Sequence, residues 1–387
     1  MKPWPIVFVL LFAACGSGSV IEQVGGGGGD DEGDDGISLN LSPSEKIYVA
    51  AAFFTDPVGS IATVGMNNPY PVESRLAVTD GSDVVVRSFN NQLFVINRGI
   101  TSTIQVIDPD SLEILGNYSV EPESNPHDLV VANGRAFISR YDANLADDNT
   151  DDLWVVNPTS GSFITGINLK PYTTNDGERL ARADQMTLVG DFLYVLLQDL
   201  SRAFAATTNG KVAVIDTRTN AVVTSIALAG RNPTSIVYHA GLNRLFITDT
   251  GLFGPGFSVD LTTDYGGIEV INPDTNETLG ILMDDQNFSG YLFGIQIVSE
   301  TLGVVSVNAD HVATFNPSTF ALINANIYET PSGVIPELLV DRNGRLWIPE
   351  RDPANDGMVV IDPAAGSILG GPFPVGALPA SLTLIRP

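Results

Sequence analysis

Val212-Ala213-Val214-Ile215-Asp216-Thr217 is a strand that runs straight into a turn, and the chain repeats the pattern along its length. The other full copies are Ile104-Gln105-Val106-Ile107-Asp108-Pro109, Leu153-Trp154-Val155-Val156-Asn157-Pro158 and Ile268-Glu269-Val270-Ile271-Asn272-Pro273, then Val312-Ala313-Thr314-Phe315-Asn316-Pro317 and Met358-Val359-Val360-Ile361-Asp362-Pro363. A weaker copy is Ile61-Ala62-Thr63-Val64. Asp or Asn at the first turn position caps nearby amides with its side chain, and proline next to it presets the angle of a type I turn. Apolar residues resume after each turn, as in Leu112-Glu113-Ile114-Leu115 and Ala221-Val222-Val223, so each copy reads as a hairpin.

A second repeat precedes the first and pairs an aromatic with a β-branched residue: Tyr48-Val49, Phe94-Val95, Phe137-Ile138, Tyr194-Val195, Phe246-Ile247 and Trp347-Ile348, with Val304-Val305 as a degenerate copy. Tight-turn signals lie just upstream at Asn133-Gly134, Gly190-Asp191 and Asn343-Gly344. Each unit is therefore strand, tight turn, aromatic strand, variable loop, strand, Asp/Asn turn, strand. Four antiparallel strands recurring every 43 to 59 residues predict an all-β fold, a β-propeller of seven four-stranded blades. The last segment, Ala380-Ser381-Leu382-Thr383-Leu384-Ile385, reads as the first strand of an unfinished blade, and Lys46-Ile47-Tyr48-Val49 as the second strand of a blade lacking its first. Joining them closes the ring and removes two open edges.

The aromatic-Val and Val-Ile-Asp rhythm resembles the YVTN-type β-propeller repeats of bacterial and archaeal surface proteins over residues 46–387. Tyr48-Val49-Ala50-Ala51 and Phe246-Ile247-Thr248-Asp249 come nearest to the four residues that name the repeat, which never occur complete. The resemblance implies the fold. It implies little about function, because propellers host enzymes, carriers and scaffolds alike.

Composition agrees: 44% hydrophobic and 17% charged residues, with 38 Gly and 24 Pro, suit many short strands joined by turns. The formal net charge is −26. Within residues 1–36, Lys2 stands against Glu22, Asp30, Asp31, Glu32, Asp34 and Asp35. Most of the negative charge therefore belongs to the folded part. Such a field repels phosphate backbones and argues against nucleic acid as a partner.

The first residues read as a signal. Lys2 is a minimal positive region, Ile6-Val7-Phe8-Val9-Leu10-Leu11-Phe12 is an apolar run too short to span a bilayer, and Ala13-Ala14 are small residues before a cut. Leu11-Phe12-Ala13-Ala14-Cys15 resembles the bacterial lipobox, with Phe12 where that family usually has Leu. The resemblance implies a signal peptide over 1–14 and a lipid-modified Cys15, which is the single cysteine of the chain. Gly16 rather than Asp after the cysteine points, by the same resemblance, to the outer membrane. Residues 15–45 carry Gly25–Gly29 and then Asp-Asp-Glu-Gly-Asp-Asp-Gly, the composition of a flexible tether. The propeller follows over 46–387.

In such a ring, the loops after the aromatic strands and those leading into the first strands share one face. The former supply Arg98, Arg140, Asp199, Asp249, Asp310 and Arg351 as candidate ligand-binding residues; the latter supply His127, Asp128, Asp184, Gln185 and Glu337. These charges either receive a small ligand or pair with one another and close the channel mouth. Asp147, Asp148, Asn149, Asp151 and Asp152 form an oxygen-rich loop suited to Ca²⁺, without the spacing of an EF-hand. The loop over 250–267 carries Phe253, Pro255, Phe257 and Tyr265, which fold over the channel, contact a partner or pack within the loop itself. His127, Glu337 and His311 are the candidate catalytic groups, while His239 falls in an outer turn. The expectation is a monomeric, membrane-tethered lipoprotein propeller at the cell envelope, on the periplasmic or outer side, that binds protein or small-molecule partners. The alternative is a channel-sited, divalent-metal-dependent hydrolase or lyase resembling lactonases or antibiotic lyases.

Overall fold

Seven four-stranded antiparallel sheets follow one another along the chain, and the first is completed by the last strand. The computed structural model describes residues 45–53, 55–143, 150–174, 179–253, 259–263, 265–330 and 333–385. Counting from the N-terminus, the blades cover 46–78 (with 379–385), 84–119, 126–167, 183–227, 233–284, 292–329 and 339–373. The first strand of each lies innermost and is largely buried, as in Val84–Phe89 and Pro379–Ile385. The fourth strand is an exposed outer edge, as in Ile114–Ser119. The seventh blade has the shortest innermost strand, Leu339–Val340.

The ring closes as the chain ends imply. Lys46–Ala51 pairs antiparallel with Pro379–Ile385, in register from Lys46 opposite Ile385 to Ala50 opposite Ser381. On its other side the same strand pairs with Ser60–Gly65. Three strands from one end of the propeller and one from the other thus make a single sheet, and Ile47, Val49, Leu382 and Leu384 from both ends share one buried cluster.

Turn chemistry fixes the hairpins. Asp108 Oδ1 accepts from the amides of Asp110 and Ser111 at 3.0 and 2.7 Å, and Asn157 Oδ1 from Thr159 and Ser160 at 3.1 and 2.9 Å. Asp216, Asn272, Asn316 and Asp362 do the same at their turns. Asn133 and Gly134 both take positive φ, 50° and 72°, as a two-residue hairpin turn with right-handed twist requires. Leu112, read from sequence as strand, sits in the turn with φ 61°, and its strand begins at Ile114.

The two repeats meet in space. The Tyr48 hydroxyl donates to the Pro109 carbonyl at 3.0 Å, and the Tyr194 hydroxyl reaches Pro273 O at 3.3 Å and Asn276 Oδ1 at 2.8 Å. An aromatic of one blade is thereby clamped to the Asp/Asn turn of the next, with the ring buried between the sheets. None of the described helices is long and apolar enough to cross a membrane.

Candidate functional site

The innermost strands present their inner edges to one another, so their amides need partners other than a sheet neighbour. Side chains of adjacent blades supply them. Asp128 Oδ2 accepts from Met186 N at 2.9 Å, Gln185 Oε1 from Ile236 N at 3.3 Å and Ser235 Oγ from Ile295 N at 3.4 Å. Glu337 Oε2 accepts from Leu382 N at 3.0 Å, and Ser381 Oγ from Val86 N at 3.1 Å. All five acceptors stand one residue before a buried aliphatic: Asp128-Leu129, Gln185-Met186, Ser235-Ile236, Glu337-Leu338 and Ser381-Leu382. This is a third repeat, present in the sequence as Pro126-His127-Asp128-Leu129, Pro233-Thr234-Ser235-Ile236 and Pro379-Ala380-Ser381-Leu382, and missed there because its polar member varies. Gly294 and Val85 hold the same position in the sixth and second blades and have no side chain able to accept.

Arg87 compensates the acids of this ring. Its Nε donates to Asp128 Oδ1 at 2.8 Å, and its Nη1 to Glu337 Oε1 at 3.1 Å and Ser381 Oγ at 3.4 Å. One guanidinium therefore ties the second blade to the third, the seventh and the closing strand. Ser381 Oγ donates to Glu337 Oε2 at 2.6 Å. Burial pushes the Glu337 carboxyl up to about 7, against the pull of Arg87. Sequence reading placed Asp128 and Glu337 on this face and passed over Arg87, whose partners lie 41 and 250 residues away.

His127 belongs to a separate group. Its Nδ1 lies 2.9 Å from Asp184 Oδ1, and Asp184 Oδ2 accepts from Gln198 Nε2 at 2.7 Å. The imidazole stacks on Tyr141 at 4.0 Å between centroids, and the Arg182 guanidinium lies over Tyr141 and Phe204. Burial raises the Asp184 carboxyl, opposed by His127. The structure thus divides the acid and histidine considered together from sequence: Glu337 is engaged with Arg87 and the closing strand, His127 with Asp184. His311 stands on the sixth blade, its Nδ1 2.6 Å from Asp310. Leu242 N donates to His239 Nδ1 at 3.1 Å in the tight turn between strands of the fifth blade.

The other predicted residues occupy the loop face, where the second strands end, and most are paired. Arg98 Nε donates to Asp83 at 2.9 Å. Arg140 pairs with Glu121, donates to Val120 O at 3.0 Å and lies 4.5 Å over Trp154. Asp199, fully buried, accepts from Thr174 N at 3.1 Å and pairs with Lys211 at 2.5 Å. Arg351 is partly buried just past Leu346–Glu350. Asp249 is the exception. It is fully buried with no donor on either oxygen, beside Glu269, which itself accepts from the amides of Ala229 and Gly230 at 2.9 Å. Burial, then the Glu269 charge, raises the Asp249 carboxyl well above its ordinary value. Asp249 is thereby kept neutral to higher pH than an ordinary aspartate.

Asp147, Asp148 and Asn149 lie outside the described residues, as do Pro255, Phe257 and Cys15. Asp152 is spent on the backbone, its Oδ2 accepting from Leu169 N at 2.6 Å, and burial raises the Asp151 carboxyl. Among the described residues no three His, Cys, Asp or Glu side chains are grouped to hold a metal ion. Tyr265 lies 3.6 Å under the Arg231 guanidinium.

No protein-family model matches this chain, and neither does any curated protein. Solved structures do. Dihydro-heme d1 dehydrogenase NirN, in complex with DHE, superposes with a TM-score of 0.50 at 13% identity, over 89% of this chain and 75% of that one. BamB from Moraxella catarrhalis gives a TM-score of 0.46 at 15% identity, over 77% and 80%. The likeness to NirN at such identity shows the propeller fold.

Proposed function

We infer that this chain is a lipid-anchored propeller of the cell envelope, a scaffold that holds protein or small-molecule partners. One observation carries the scaffold. Every blade presents an apolar side chain on its outer edge strand, 48% to 64% exposed: Val78, Ile114, Phe163, Val223, Leu279, Ile323 and Ile368. Edge strands that stay free of partners are usually guarded by charge or proline, because they offer unpaired amides beside apolar surface. Seven such edges around one rim suit the addition of an extended segment from another protein. The polar groups of the channel, in contrast, are engaged in holding blades together.

Two measurements test the two halves of this reading. Intact mass should show a mature chain beginning at an acylated Cys15, and Cys15→Ala should move the protein from the membrane to the soluble fraction. Photo-crosslinking residues at Phe163 and Ile323 should give discrete adducts in cells. Crosslinker at the rim that yields monomer alone would overturn the scaffold.

A further inference from the structure

The loop face carries an apolar depression outside the blade-to-blade network. Its walls come from both sides of the ring closure: Ala51 and Val78 from N-terminal strands, Phe53 and Val58 from the loop after the first of them, and Ala377 from the connection into the closing strand. The cavity measures about 290 Å³, near the lower bound of small-ligand pockets. Phe53 and Val58 are each 40% exposed. Arg75 also lines it.

Arg75 is exposed on the outer strand Val72–Val78 of the first blade. Arg98, Arg140 and Lys211 each have a carboxylate. Arg75 makes one long hydrogen bond, to Gly376 O at 3.4 Å, and no ion pair among the described residues. In a chain of net charge −26, an exposed guanidinium beside an apolar cavity has N–H donors that a carboxylate can accept. Asp56 on the same lining repels a second negative charge.

We propose that this cavity binds an apolar chain ending in a single carboxylate, the carboxylate on Arg75 and the apolar body against Phe53, Val58 and Val78. Because its walls belong to both ends of the ring, the bound ligand stabilises the closure.

The test uses the intact protein with octanoate, octanol and the dicarboxylate suberate, and with a short apolar peptide as free acid and as amide. Octanoate should raise the melting temperature by about 2 °C or more at saturation, while octanol and suberate leave it unchanged. Arg75→Gln should weaken octanoate binding at least tenfold by calorimetry, and Arg75→Lys should restore part of it. Binding of the peptide acid alone, and not its amide, would keep the proposal and assign the carboxylate to a polypeptide end. Equal effects of octanoate and octanol, unaltered affinity in Arg75→Gln, or no response to either acid would overturn it.

Discussion

Arg87 Nη1 lies 3.1 Å from Glu337 Oε1, so two residues 250 positions apart join the second blade to the seventh past the closing strand. The same guanidinium holds Asp128 at 2.8 Å. Both acids also accept backbone amides, from Leu382 and Met186. The contact is thus a knot in the ring rather than a free site.

Removing the arginine leaves two buried carboxylates facing each other without a counter-charge. Arg87→Met should cost about 3–5 kcal/mol in urea unfolding, the usual cost of breaking a buried ion pair. Neutralising the acids with Asp128→Asn and Glu337→Gln in the same chain should recover much of that loss. An Arg87→Met protein as stable as wild type would show that the guanidinium contributes nothing to the ring.

Closure depends on Pro379–Ile385, which covers the inner edge of Lys46–Ala51 and packs Leu382 and Leu384 beside Ile47 and Val49. Ending the chain at Leu378 exposes that edge and uncovers the shared cluster. The truncated protein should lose its cooperative melt and aggregate, as followed by circular dichroism and light scattering. A truncation that melts at the wild-type temperature would mean the ring does not need its clasp.

What was legible in the sequence was local. Asp108, Asn157 and Asp362 announce their turns because the amides they cap lie two or three residues on. The blade count followed from that period, and the closure from strands missing at complementary ends. The polar ring of the channel is long-range, and its acceptors vary between Asp, Gln, Ser and Glu at one position, so no motif marks them. Asn90 and Asn91, both with positive φ, make a hairpin turn without the glycine that flags the others. Candidate residues share one face because strand ends fix the face, but their pairing is not written in the sequence: Arg98 meets Asp83 within its blade, and His127 meets Asp184 of the next rather than Glu337.

The clamp between blades is measurable at Tyr194, whose hydroxyl reaches Pro273 O and Asn276 Oδ1 in the next blade. Tyr194→Phe keeps the buried ring and removes only that bond. The loss should be about 1 kcal/mol in urea unfolding, the net worth of one hydrogen bond. A loss below a few tenths would mean that water replaces the hydroxyl at no cost.

The buried acids set an unusual pH dependence. Asp184, Asp249 and Glu337 have carboxyls raised in the folded state, in each case chiefly by burial, Glu337 to about 7. A raised carboxyl binds more protons folded than unfolded, so its contribution to stability is greatest in acid and falls as pH climbs past the unfolded value. For Glu337 that decline runs from about 4.5 to about 7. Asp108 and Asp216 act in the opposite sense, because amide and arginine hydrogen bonds lower them; their stabilisation fades only below about 4, the ordinary carboxylate range. Stability should therefore peak in mild acid and decline toward pH 8. Asp249→Asn isolates one contributor. Its amide can donate to Glu269 without taking up a proton, so the variant should be more stable than wild type at pH 8 and show a shallower slope between pH 5 and 8. Urea titrations across that range measure both, and an unchanged slope would mean that Asp249 titrates as an ordinary aspartate.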